Sequence, residues 1–123
     1  MARMNRWPVA VILIVVSGFI LSGCGRAGLG EARQACGFVQ EGITLFHKSQ
    51  DSGTSAVDTD HLLRQARSSF IHGEAHAARA TSADGRWNAL MTTLQLSRHA
   101  PVSTVVPTLT RQCKSILSDG YLY

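Results

Sequence analysis

A chain of 123 residues with a formal charge of +4 and a pI near 9.4 has room for one globular domain. That length excludes a two-domain enzyme, a TIM barrel and a complete dinucleotide-binding fold. With 45% hydrophobic and 16% charged residues the chain is not a disordered tail, and its three cysteines are an odd count, so at least one needs a fate other than an internal disulfide.

Residues 1–24 read MARMNRWPVAVILIVVSGFILSGC. Arg3 and Arg6 form a basic start, and residues 9–21 form an apolar run of 13 that includes Ser17 and Gly18. A membrane-spanning helix needs about 20 apolar residues, so this run suits the hydrophobic core of a signal peptide instead. An uncleaved anchor over 9–21, or cleavage after Ala27, are the other readings of the same residues. The run closes on Leu21-Ser22-Gly23-Cys24, an aliphatic residue, two small residues and a cysteine. This resembles the lipobox of bacterial lipoproteins, and the whole arrangement is similar to small actinobacterial lipoproteins. The resemblance covers residues 1–24 alone. It implies a diacylglycerol thioether on Cys24, cleavage between Gly23 and Cys24, and residence on the outer face of the bacterial cell membrane. Each buried methylene contributes about 0.8 kcal/mol, so two or three acyl chains hold a small domain firmly.

Cleavage before Cys24 leaves 100 residues and, with Arg3 and Arg6 gone, lowers the formal charge from +4 to +2. Part of the basic excess therefore belongs to targeting, not to a nucleic-acid surface. The expected organisation is a signal peptide over 1–23, a lipidated cysteine with a glycine-rich tether over 24–30, and a helical domain over 31–123. Fully extended, the six residues 25–30 span about 20 Å.

The first helix is expected over 31–49, where Ala32, Cys36, Val39, Ile43 and Phe46 recur at steps of 4, 3, 4 and 3. Gly37 and Gly42 weaken it by about 1 kcal/mol each relative to alanine. The polar stretch over 49–59 is a loop. Thr59 or Asp60 can cap a second helix to about Ala80, whose stripe is Leu63, Ala66, Phe70, Gly73, Ala77 and Ala80. Its second half is faced by glycine and alanine, which permits close helix approach. After a turn over 82–85, Trp87, Leu90, Met91 and Leu94 define a short third helix ending near Ser97. In the fourth, Thr104 as N-cap places Pro107 at the third helical position, where no helical hydrogen bond is lost. Val102, Val106, Leu109, Cys113 and Ile116 carry its stripe, with Val102 just outside the helix, and Asp119-Gly120 is the expected stop. Four helices with short connections predict an all-α, up-down-up-down bundle.

Cys36 and Cys113 test that topology. One lies early in the first helix and the other late in the fourth, so an up-down-up-down bundle brings them to the same pole, and both lie on apolar stripes. In an oxidising compartment beyond an export signal they are expected to form one disulfide. Closing a loop of that length is worth up to roughly 4–5 kcal/mol in the chain-entropy treatment.

Candidate chemistry is sparse. His72 and His76 stand four apart on the second helix, the spacing of a metal-ligating pair. Glu74 is one position late for a His-Glu-x-x-His motif, and the stripe puts both histidines toward solvent, so solvated surface histidines are the favoured reading. Trp87 can line an inter-helix pocket, although its spacing with Leu90 and Leu94 fits a core residue. The chain carries no Gly-x-Ser-x-Gly elbow, P-loop or dinucleotide glycine pattern. Asp58 and Asp60 are explained by capping, and Arg64, Arg67, Arg79 and Arg86 are dispersed rather than gathered into a nucleic-acid surface. Tyr121 and Tyr123 lie near the end of the sequence, at the pole the bundle shares with Cys24, where amphipathic rings suit lipid headgroups. The sequence thus predicts a module without catalytic role or cofactor, whose partners are membrane lipid and a protein or envelope component. A binder of a small molecule or metal near His72, His76 and Trp87 is the alternative.

Overall fold

A computed structural model describes residues 27–118. Cys24, Tyr121, Tyr123 and the expected stop at Asp119-Gly120 lie outside the described residues. Within them the chain forms four α-helices: α1 (Leu29–Ser49), α2 (Ala56–Ala83), α3 (Asn88–Leu96) and α4 (Val102–Leu117), with a 3-10 turn at Gly85–Trp87 leading into α3. No described helix is long and apolar enough to cross a membrane.

Consecutive helices run antiparallel, and α4 closes the bundle against α1. Gly42 of α1 faces Ala66 and Phe70 of α2, while Gly28, just ahead of α1, faces Ala80 near the other end of α2. Arg98, just beyond α3, reaches back to Glu74, and Gln112 of α4 donates to Thr93 of α3 at 3.1 Å. Cys36 and Cys113 are joined by a disulfide, with Cα atoms 5.3 Å apart and a sequence separation of 77. The predicted bundle and the predicted bond are both present.

The core follows the predicted stripes closely. Ala32, Cys36 and Val39 of α1, Ala66, Phe70, Ala77 and Ala80 of α2, Leu90 and Leu94 of α3, and Val102, Val106, Leu109, Cys113 and Ile116 of α4 are buried, together with Trp87. Ile43, Phe46, Leu63 and Met91 pack against this core half-buried. The α1–α2 seam is made of small residues. A Cβ added at Gly42 would stand 2.8 Å from Phe70 Cδ1 and 3.0 Å from the Ala66 carbonyl oxygen, so the absence of a side chain is what lets Phe70 in. At Gly37 the same atom would meet nothing within 4 Å.

The helix starts differ from expectation, each for a local reason. Helix α1 begins at Leu29, two residues early, because Leu29 is buried and Gly28 takes a left-handed φ of +78° that turns the chain into the helix. Helix α2 begins at Ala56: the Ser55 hydroxyl accepts from the Asp58 N–H at 3.2 Å. Ser55 thereby takes the capping role expected of Thr59 or Asp60, and Asp60 instead pairs with Arg64 at 2.9 Å. Helix α4 begins at Val102 after Pro101, not behind Thr104, so Val102 lies inside it and Pro107 is its sixth residue. Burial of Val102, Val105 and Val106 on one face outweighs the hydrogen bond that Pro107 cannot donate.

Candidate functional site

The first described residues are fastened to the bundle. Trp87 is 3% exposed, and its indole N–H donates to the Ala27 carbonyl at 2.9 Å, across 60 positions of sequence. The neighbouring Gly28 is confined between α2 and the same indole: an added Cβ would lie 2.6 Å from the Ala80 oxygen and 2.9 Å from Trp87 Nε1. The 3-10 turn that presents Trp87 is started by Asp84, whose carboxylate accepts from the Arg86 N–H at 2.9 Å. Arg86 in turn pairs with Asp84 at 2.8 Å and lies over the Trp87 ring at 6.0 Å. The expected glycine-rich tether over 24–30 is therefore fixed from Ala27 onward, and only Gly25 and Arg26 separate Cys24 from the clasp.

Beside this clasp, the first turn of α1 and the last turns of α2 share a polar cluster. Glu31 Oε2 is 2.7 Å from His76 Nδ1 and 3.2 Å from Arg79 Nε. The hydrogen bond from His76, followed by those from Arg79 and its charge, holds the Glu31 carboxyl below the ordinary glutamate range, against partial desolvation that pushes it up. Arg79 Nη2 also lies 2.8 Å from His76 Nδ1. That nitrogen cannot both donate to Glu31 and accept from Arg79, and the ionised carboxylate makes the donating tautomer the consistent assignment.

The two histidines singled out in the sequence meet on one aromatic ring. Phe38 of α1 stacks on His76 with centroids 5.5 Å apart and an interplanar angle of 21°, and is tilted against His72 at 5.7 Å. His72 is exposed, as expected. His76 is not a solvated surface histidine: its side chain is 20% exposed, held between Phe38 and Glu31. Among the described residues no group of three His, Cys, Asp or Glu side chains converges to hold a metal ion. His72 lines a cavity of about 330 Å³ with Phe38, Glu41, Leu45 and Ser69. Trp87, whose spacing with Leu90 and Leu94 fits a core residue, is enclosed in the core and committed to Ala27, so the alternative of a pocket shared with the histidines does not form around it.

A larger cavity of about 530 Å³ opens at the other end of the bundle, where Phe46, Leu63, Pro101 and Val102 give an apolar floor and Arg64, Arg67 and His99 a basic rim. Arg67 donates to the Ala100 carbonyl at 3.1 Å and tethers the α3–α4 connection to α2.

Two features escaped sequence reasoning. The Glu31–His76 contact joins residues 45 positions apart, and only the i,i+3 spacing of His76 and Arg79 hinted that both serve one partner. The carbonyl that Trp87 binds belongs to a backbone position, so no side-chain pattern announces it. Compared with family models, with curated proteins and with solved structures, the chain matches none.

Proposed function

We propose that the protein is a lipid-anchored extracytoplasmic helical module, held on the outer face of a bacterial membrane through Cys24, that acts by binding a protein or envelope component and not by catalysis. The observation that carries this reading is the pairing of Cys36 with Cys113. It uses two of the three cysteines and leaves Cys24, at the end of the apolar run and after two small residues, as the residue available to lipid. A disulfide inside the domain also suits the oxidising side of a membrane.

Mass spectrometry of the membrane form tests the reading directly. Acyl mass on residue 24 and release of a Cys24→Ala variant from the membrane are expected; an unmodified Cys24 in membrane-extracted protein sinks it. Crosslinking in the native envelope then identifies the partner. Helix α4 ends at Leu117, at the end of the bundle where α1 begins, four residues before Tyr121 and six before Tyr123 in sequence. A probe whose membrane quenching is unchanged by Tyr121→Ser with Tyr123→Ser would remove the tyrosines from a headgroup role.

A second reading, a small-molecule or metal binder, draws on the stacking of Phe38 with His72 and His76 beside the 330 Å³ cavity. Titration with zinc, read by NMR shifts at His72 and His76, separates the two: saturable shifts lost in His72→Ala favour this reading.

A further inference from the structure

We infer that the end of the bundle carrying Trp87 is seated on the lipid headgroups of the membrane, so that the protein stands with one fixed end down and the cavity rimmed by Arg64, Arg67 and His99 facing away. The inference rests on the lipid-anchor reading of Cys24 and adds an orientation and a lipid-facing surface to it.

Two independent observations point there. The first is the length of the leash. Ala27 is held by Trp87 and Gly28 is wedged against Ala80, so Gly25 and Arg26 are the residues left to span the distance from Cys24. Three Cα steps reach at most about 11 Å. Helix α1, at 21 residues, is about 31 Å long, so the leash is too short to let the bundle stand on its far end.

The second is charge. The clasped end carries Arg33, Arg79, Arg86 and Lys114 against Glu31 and Asp84. Both acids are already neutralised there, Glu31 by Arg79 and Asp84 by Arg86. Arg33 and Lys114 are exposed and make no ion pair among the described residues. At the opposite end Lys48, Arg64 and Arg67 are balanced by Asp51, Asp58 and Asp60. A net basic end beside the anchor and a balanced end away from it is the polarity that anionic phospholipid selects.

Two glycines provide reporters. At Gly85, beside Trp87, and at Gly53, in the opposite loop, an added Cβ meets nothing within 4 Å, so Gly85→Cys and Gly53→Cys accept a probe without disturbing the core. Membrane-form protein is extracted, its mass at residue 24 recorded, and each variant labelled and reconstituted into phosphatidylglycerol/phosphatidylethanolamine vesicles bearing a headgroup quencher. With the two sites separated by roughly the length of the bundle, quenching at residue 85 is expected to exceed that at residue 53 by about threefold or more. A flexible Gly/Ser insert of about ten residues between Arg26 and Ala27 is expected to bring the ratio toward one. Equal quenching at the two sites in the acylated, uninserted protein overturns the inference, as does a ratio indifferent to the insert. Absence of acyl mass on Cys24 instead defeats the anchor reading beneath it, a result distinct from equal quenching of an acylated chain.

Discussion

Trp87 holds the carbonyl of Ala27 at 2.9 Å from a position 60 residues further along the chain. One indole therefore does two jobs: its ring fills the core between α2 and α3, and its N–H fastens the segment that precedes α1. Trp87→Phe separates them. It keeps most of the apolar contact but leaves the Ala27 carbonyl to water, a loss of about 1 kcal/mol in denaturant unfolding. Gly28→Ala is expected to cost more, roughly 1–2 kcal/mol from the left-handed backbone alone, with the crowding of Ala80 added. Limited proteolysis ahead of Leu29 should rise in both variants while the rest of the bundle stays protected.

Gly37 and Gly42 carry opposite predictions although both are glycines inside α1. Gly37→Ala meets open space and should stabilise the protein by about 0.5–1 kcal/mol through helix propensity. Gly42→Ala should destabilise it, because its Cβ must displace the buried Phe70 ring or the Ala66 backbone, at a typical overpacking cost of about 1–3 kcal/mol. Equal signs in urea unfolding would contradict the packing described for the α1–α2 seam.

The disulfide ties the start of α1 to the end of α4 across 77 positions. Cys36→Ala with Cys113→Ala, which removes the bond without leaving a free thiol, should lower stability by about 2–5 kcal/mol. Helical circular dichroism at low temperature is expected to survive, since the α1–α2 seam does not depend on the bond. The midpoint of thermal unfolding is where the loss should appear.

Pro107 is the sixth residue of α4 and is exposed. Its ring lacks the N–H that would bond the Ser103 carbonyl and crowds that carbonyl as well. Pro107→Ala should restore the hydrogen bond and raise stability by about 1–3 kcal/mol, less what the unfolded chain gains in freedom. Slow exchange of the new backbone amide at position 107 provides a direct reading.

Glu31 has a depressed folded-state pKa, set first by its hydrogen bond from His76. Its contribution to stability is therefore fully present above the unfolded-state value of about 4.3 and is lost as pH falls through the lower folded value. Wild type should be more stable than Glu31→Gln at neutral pH, with the gap closing below about pH 4. A gap that stays constant to pH 2 in thermal unfolding would mean that Glu31 acts through packing and not through charge.

Much of this fold was legible in the chain because its physics is local. The 3.6-residue period of the apolar stripes set the number of helices, their burial and, through Cys36 and Cys113, the antiparallel order that a disulfide at one end requires. The run from Val9 to Cys24 supports the proposal of an address and an anchor by itself, since a signal is read from linear sequence. Other matters depended on three-dimensional neighbours. The sequence offers Thr59 or Asp60 as the cap of α2, and the fold uses Ser55. Two glycines in one helix look alike until Phe70 is placed against one of them. His72 and His76 look like a pair until Phe38 and Glu31 arrive from α1 and give them different surroundings. The odd cysteine of the opening count was visible from composition, but which two cysteines pair became a geometric fact only when α4 packed against α1. The short, glycine-rich tether read over 24–30 is clasped from Ala27 onward, because a tryptophan brought back by two antiparallel helices needed a partner for its N–H, and the backbone there supplied one.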